Sequence, residues 1–106
     1  MMIVPLASLA LLLTFAAPAA LAERAAPEGD PEGSAELAPM CASCHGPDGR
    51  SNTTRYPSIA GLAPEVFTAS MQALQAGERG HLLKRMTRGL SEQDIADLAA
   101  HFATLE

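Results

Sequence analysis

Cys41-Ala42-Ser43-Cys44-His45 is the stretch on which the reading of this chain turns. The pattern Cys-x-x-Cys-His is the attachment signature of a c-type haem. The spacing has a chemical reason. Two thiols one helical turn apart can each add to one of the two vinyl groups on a haem edge. The next side chain, His45, then lies under the iron and can bind it through an imidazole nitrogen. Two other uses of paired cysteines fit less well. A thioredoxin-like dithiol needs a βαβ context, which the sequence lacks. A zinc site needs further ligands at short spacing, and only His81 and His101 remain.

The residues before the motif read as the helix that carries it. Ser34 is placed to cap, and Glu36 suits a positive helix end. Leu37, Met40, Cys41 and Cys44 follow at spacings of three and four, so they share one face. The first helix is therefore expected from Ser34. Gly46-Pro47-Asp48-Gly49 stops it. Residues 50–63 read as an irregular loop without strand alternation. So long a loop in so small a domain needs a reason. Wrapping the proximal side of a haem supplies one. Arg50 and Arg55 in this loop read either as partners of haem propionates or as ordinary solvated charges.

Pro64 opens a second helix, whose expected buried stripe is Val66, Phe67, Met71 and Leu74. Gly77 ends it. Residues 78–89 read as a basic connector with Arg79, Lys84, Arg85 and Arg88. The third helix begins at Ser91. Ser91-x-x-Asp94 is a capping box with Asp in place of Glu or Gln. Ile95, Leu98, Ala99, Phe102 and Leu105 form its apolar face. Glu92, Asp97 and His101 are expected on the opposite, solvated face.

The N-terminal third has a different character. Residues 1–22 are almost wholly apolar, with Ser8 and Thr14 the only polar side chains. Ala20-Leu21-Ala22 offers small residues to a signal peptidase, and cleavage is expected after Ala22. The other reading of this run is a retained membrane anchor. Residues 23–33 read as a flexible acidic Pro/Gly tether, and 34–106 as the folded domain. A domain this small gains only a few kcal/mol from an apolar core. A covalent haem would act as its staple. The 7 basic and 12 acidic residues give a formal charge of −5. Nucleic acid is thereby an unsuitable partner.

With these residues in place the chain resembles the class I c-type cytochromes, of the cytochrome c4 and c553 kind. It is most similar to the haem subunit of flavocytochrome c sulfide dehydrogenase. Four runs carry the resemblance: Cys-Ala-Ser-Cys-His-Gly-Pro-Asp-Gly-Arg-Ser from Cys41, Tyr-Pro-Ser-Ile-Ala-Gly from Tyr56, Ala-Gly-Glu-Arg from Ala76 and Arg-Gly-Leu-Ser-Glu-Gln-Asp-Ile from Arg88. The resemblance implies a small all-α fold, with three main helices and loops around one covalent haem c. It implies thioethers at Cys41 and Cys44 and His45 as the proximal iron ligand. Pro57 would accept a hydrogen bond from the proximal imidazole through its carbonyl, and Ile59 would pack on the haem.

On the distal side the family supplies a methionine seven residues before the leucine of Leu90-Ser91. That position is Leu83 here. Three arrangements fit the sequence: Met86 through a shifted loop, His81 in a lower-potential bis-histidine centre, or an open site that permits ligand chemistry. Met40 and Met71 fall on helix stripes and read as core. The implied function is exported, periplasmic single-electron transfer, not catalysis by the chain itself. The implied partner is a sulfide-oxidising flavoprotein subunit or another periplasmic redox protein. A free carrier and a ligand-sensing haem protein are the alternatives. No membrane span is expected once the leader is removed.

Overall fold

The computed structural model describes residues 27–106, together with Met2, Ile3, Ala10 and Leu13. Those four apart, the leader expected at residues 1–22 lies outside the described residues, as does the first part of the tether. Four helices carry the described chain: α1 (Ala38–His45), α2 (Pro64–Gln75), α3 (His81–Thr87) and α4 (Glu92–Ala103). Among the described residues there is no strand, and no helix is long and apolar enough to cross a membrane. The all-α expectation holds, with one helix more than the three main ones foreseen.

The best-defined element is α4. Ser91 Oγ accepts from the Asp94 backbone N–H at 3.0 Å, and the Asp94 carboxylate accepts from the Ser91 N–H at 2.9 Å. Both donors would otherwise be orphans of the first turn, so the box fixes where the helix begins. Ile95, Leu98, Ala99 and Phe102 are buried along one face, with Leu105 half-buried beyond them. They meet Phe67 and Met71 of α2, and the Phe67 and Phe102 rings stack at 5.6 Å between centroids. Truncating a buried Phe costs about 3–5 kcal/mol, a large share of what so small a domain has.

Pro64 stands at the start of α2, where its missing N–H has no partner to lose. The helix ends on paired hydrogen bonds, Gly77 N–H to Leu74 O and Glu78 N–H to Ala73 O, which satisfy two of its last carbonyls. Val66 does not join the stripe: it is half exposed, because Phe67, Met71 and Leu74 already define the inward face at i, i+4 and i+7. Gln75 ties α2 to the chain ahead of α4. Its amide donates to the carbonyls of Thr87 at 2.9 Å and Leu90 at 3.0 Å.

Two expectations about helix bounds are corrected. The first helix starts at Ala38, not at Ser34. In a helix running from Ser34, the N–H of residue 39 would bond the carbonyl of Ala35, but Pro39 has none. Residues 31–37 wind instead through turns, and the N–H groups of Leu37 and Ala38 both reach Ser34 O at 2.9 Å. Ser34 is not a cap. Its hydroxyl is fully buried and makes no hydrogen bond. The second correction is α3, which occupies most of the expected connector at 78–89. It opens after Gly80 (φ 95°) and turns Thr87 inward, where the Thr87 hydroxyl donates to Leu83 O at 2.7 Å.

The N-terminal segment is attached to α4 rather than free of it. Asp97, expected on a solvated face, is buried. Its Oδ1 accepts from the Asp30 backbone N–H and from the Gln93 amide, both at 2.8 Å. The same Gln93 amide donates to Glu28 O at 2.8 Å. Gly29 crosses α4 so closely that a Cβ on it would sit 2.1 Å from Ala96 O. Asp30 and Glu28 are thus tied to α4, the first through the Asp97 carboxylate and the second through the Gln93 amide.

The Asp30 N–H, and after it the Gln93 amide, hold the Asp97 carboxyl below its ordinary range. A lowered folded-state value means stabilisation that is complete above the ordinary Asp range. It is lost as pH falls through the folded value. Denaturant midpoints should therefore drop below about pH 4 in the native protein. In Asp97→Asn the drop should be shallower and the midpoint at neutral pH lower. An unchanged acid limb in the variant would place the titrating group elsewhere.

Candidate functional site

The attachment motif occupies the last turn and a half of α1, which places Cys41 and Cys44 three residues apart on one side of the helix. Both thiols are free. Cys41 is half-buried against the core of α2 and α4, and Cys44 is exposed. Burial pushes the Cys41 thiol above its ordinary range.

His45 is the last residue of α1. Its Nδ1–H donates to Pro57 O at 2.6 Å. This contact requires the proton on Nδ1 and leaves Nε2 with a free lone pair, the form that binds a metal. The acceptor also makes the ring more electron-rich at Nε2. The Tyr56 ring stands edge-on to the imidazole at 6.2 Å, and the Arg55 guanidinium lies 5.8 Å over Tyr56.

The loop over residues 46–63 exists to bring Pro57 to that position. Its neck is closed by the N–H groups of Ile59 and Ala60, which donate to Gly49 O at 2.7 and 3.0 Å. Ser51 N–H donates to Ser58 Oγ at 2.9 Å, and Ser51 Oγ to Thr53 O at 2.9 Å. The far end is pinned to α4 by Gly61 N–H donating to Phe102 O at 2.8 Å. Ile59 packs against the protein core, half-buried. The turn out of α1 depends on Gly46. It has φ 95°, and a Cβ there would lie 2.0 Å from Arg50 O.

The distal candidates sit on α3. Met86 is 37% exposed, His81 is exposed at the first turn, and Leu83 is half-buried. Met71 is buried in the core as expected, while Met40 is half-buried. His101 is not simply solvated: it is half-buried, edge-on to Phe102 at 5.0 Å. Among the described residues no three His, Cys, Asp or Glu side chains converge, so the zinc alternative has no ligand set. An open groove between α2 and α4, floored by Ala69, Ala96 and Ala99, contains none of the motif residues.

These residues fit a covalent haem. Two free thiols face one side of a helix, and an imidazole of fixed tautomer follows with one nitrogen available. Only six apolar side chains are buried among the described residues, a core short enough to need an apolar cofactor. Gly46→Ala forces a side chain against Arg50 O at a φ that favours glycine. It is expected to destabilise the haem-loaded protein by more than about 1 kcal/mol in guanidinium titration. A midpoint equal to that of the native protein would show that this turn does not hold the motif.

Residues 32–106 match the family model for cytochrome c. Cytochrome c-554(548) of Halomonas halodenitrificans is 33% identical over 82 residues, which cover 74% of this chain and 99% of that protein. Cytochrome c4 of Azotobacter vinelandii is 36% identical over 86 residues, covering 72% of this chain and 41% of that protein. The crystal structure of reduced recombinant cytochrome c4 from Pseudomonas stutzeri superposes with a TM-score of 0.64 at 31% identity. It covers 74% of this chain and 46% of that one. The chain thus spans nearly all of one relative and under half the length of the cytochromes c4. With Cys41, Cys44 and His45 forming one haem-attachment motif on a matching fold, this chain belongs to the cytochrome c family, an all-α electron carrier with one covalent haem c.

Proposed function

We propose that the chain is an exported, periplasmic electron carrier whose donor is a sulfide-oxidising flavoprotein. In this reading Cys41 and Cys44 hold the thioethers, His45 Nε2 binds iron on the proximal side and Met86 Sδ on the distal side. The observation that carries it is the 2.6 Å contact from His45 Nδ1 to Pro57 O, directly after two free thiols. It leaves a single metal-binding atom in the place the motif requires.

Once bound, haem c supplies a one-electron iron(III)/iron(II) couple. The chain's own residues tune and shield it. The Pro57 carbonyl orients the imidazole and raises its basicity. A thioether on the other side raises the potential relative to a second imidazole, which suits a carrier. Met86 is favoured for that role because Met71 is committed to the core and Leu83 has no donor atom. His81 is the alternative, one turn before Lys84 and Arg85 at the start of α3. Export is supported by the leader-like residues 1–22. The sulfide partner is supported by the similar runs from Tyr56 and Ala76.

A second reading, a free carrier of the c4 or c553 kind, is favoured by the near-complete coverage of cytochrome c-554(548). Purification of the native complex separates the two: a flavin-containing partner that co-elutes and is reduced by sulfide supports the first, and its absence supports the second. The ligand assignment has its own test. The oxidised protein should show a weak sulfur-to-iron(III) charge-transfer band in the far red, and Met86→Ala should abolish it. A band that survives the substitution, or carbon monoxide binding to the reduced native protein, would contradict Met86 as ligand.

A further inference from the structure

Gln75 is the last residue of α2 and is half-buried. Its side-chain amide reaches across to the chain that joins α3 to α4. It donates to Thr87 O at 2.9 Å and to Leu90 O at 3.0 Å. Two carbonyl acceptors also fix which way the amide faces, since its own oxygen could bond neither. Thr87 O accepts from the Leu90 N–H as well, at 3.0 Å. One side chain thus draws the whole turn onto the end of α2.

That turn begins one residue after Met86. The α3 helix has only 7 residues and no side-chain cap at its start. A helix so short does not hold itself in water and has to be held by what it packs on. Leu83 and Thr87 are withdrawn from solvent along it. Leu82 and Met86 are exposed, one turn apart and so on one side. With Met86 on the iron, that side meets the haem while Thr87 stays against α2. The place of the Met86 sulfur then depends on how firmly the end of α3 is held. The support is firm, because Phe67 and Met71 anchor α2 in the core it shares with α4.

We propose that Gln75 is a positioning residue that holds α3 where Met86 reaches the iron. This rests on Met86 as the distal ligand. Release of the sulfur lets α3 swing from α2, and both hydrogen bonds to Gln75 break with it. The tie therefore weights the balance between ligated and open iron. An added ligand binds the open form, so its apparent affinity is lowered in proportion to the fraction open. A net hydrogen bond shifts such a balance by about fivefold.

The probe is imidazole, added to the oxidised haem-loaded protein and followed by the visible spectrum. Gln75→Leu keeps the bulk of the side chain and removes both donors. It should tighten imidazole binding by about ten- to thirtyfold. Gln93→Leu is the control. The Gln93 amide also donates to two acceptors, Glu28 O and Asp97 Oδ1, but these tie the N-terminal segment. Its loss should lower the guanidinium midpoint and leave imidazole affinity as it is. Met86→Ala should bind imidazole more tightly than either variant. Adding Gln75→Leu to it should change nothing further, because no sulfur remains to be held. If Met86→Ala tightens binding and Gln75→Leu does not, the role of Gln75 is overturned while the ligand stands. A Gln75→Leu effect that persists in the Met86→Ala background overturns it too. Equal affinity in the native protein and Met86→Ala overturns the ligand reading and the role of Gln75 together. If Gln75→Leu does not fold, the native protein decides. Imidazole should speed hydrogen exchange at the Gln75 side-chain amide in NMR spectra, and unchanged exchange there contradicts the proposal.

Discussion

Everything at the site depends on one hydrogen bond, from His45 Nδ1–H to the carbonyl of Pro57. It joins two segments that are otherwise separate: the end of α1 and the middle of an 18-residue loop. It fixes the imidazole tautomer, and through the tautomer it fixes which nitrogen can reach iron. Much of the loop can be understood as support for it. Ser51 and Ser58 brace the approach, Gly49 closes the neck, and Phe102 O anchors the exit. A backbone carbonyl is a good acceptor for this duty. It cannot titrate, and it moves only if the chain around it moves.

The scaffold under this bond is α4 with α2 against it. Leu98 and Phe102 are almost wholly buried, and Phe102 serves twice: its ring stacks on Phe67 while its carbonyl holds the loop. Packing energy and loop placement are thereby coupled in one residue. On the far side of α4, Asp97 holds the backbone of Asp30. The protein core is small among the described residues, which fits a fold completed by a cofactor held through two covalent bonds. The charges divide in the same economical way. Acidic side chains crowd the N-terminal segment, whereas cations crowd α3.

How much of this was legible in the sequence depends on how local each signal is. The α4 start was readable because Ser91 and Asp94 satisfy each other's backbone within one turn. The α2 start was readable from Pro64, and its inward face from Phe67, Met71 and Leu74. Ser34 misled because cap preference is a local rule, whereas the donor missing at Pro39 decides whether the helix can extend back. The α3 helix was hidden because only Leu83 and Thr87 are withdrawn from solvent along it, while the exposed Leu82 and Met86 blur the period. Asp97 was misplaced because its partner Asp30 lies 67 residues away. At the site, the cysteines and histidine are contiguous and could be read directly. Pro57 has no side-chain signature for the role of its carbonyl, and only the resemblance to a family pointed to it.

The central claim is that Cys41 and Cys44 together bind one haem, with nothing lost and nothing else attached. Intact-mass and peptide mass spectrometry of protein purified from an exporting host tests it most directly. Both thiol hydrogens add across the vinyl groups, so the mass should equal the chain plus one whole haem. The added mass should map to the peptide that contains Cys41 and Cys44, and neither cysteine should react with iodoacetamide after denaturation. A chain at its bare polypeptide mass, with both thiols alkylated, would contradict the account.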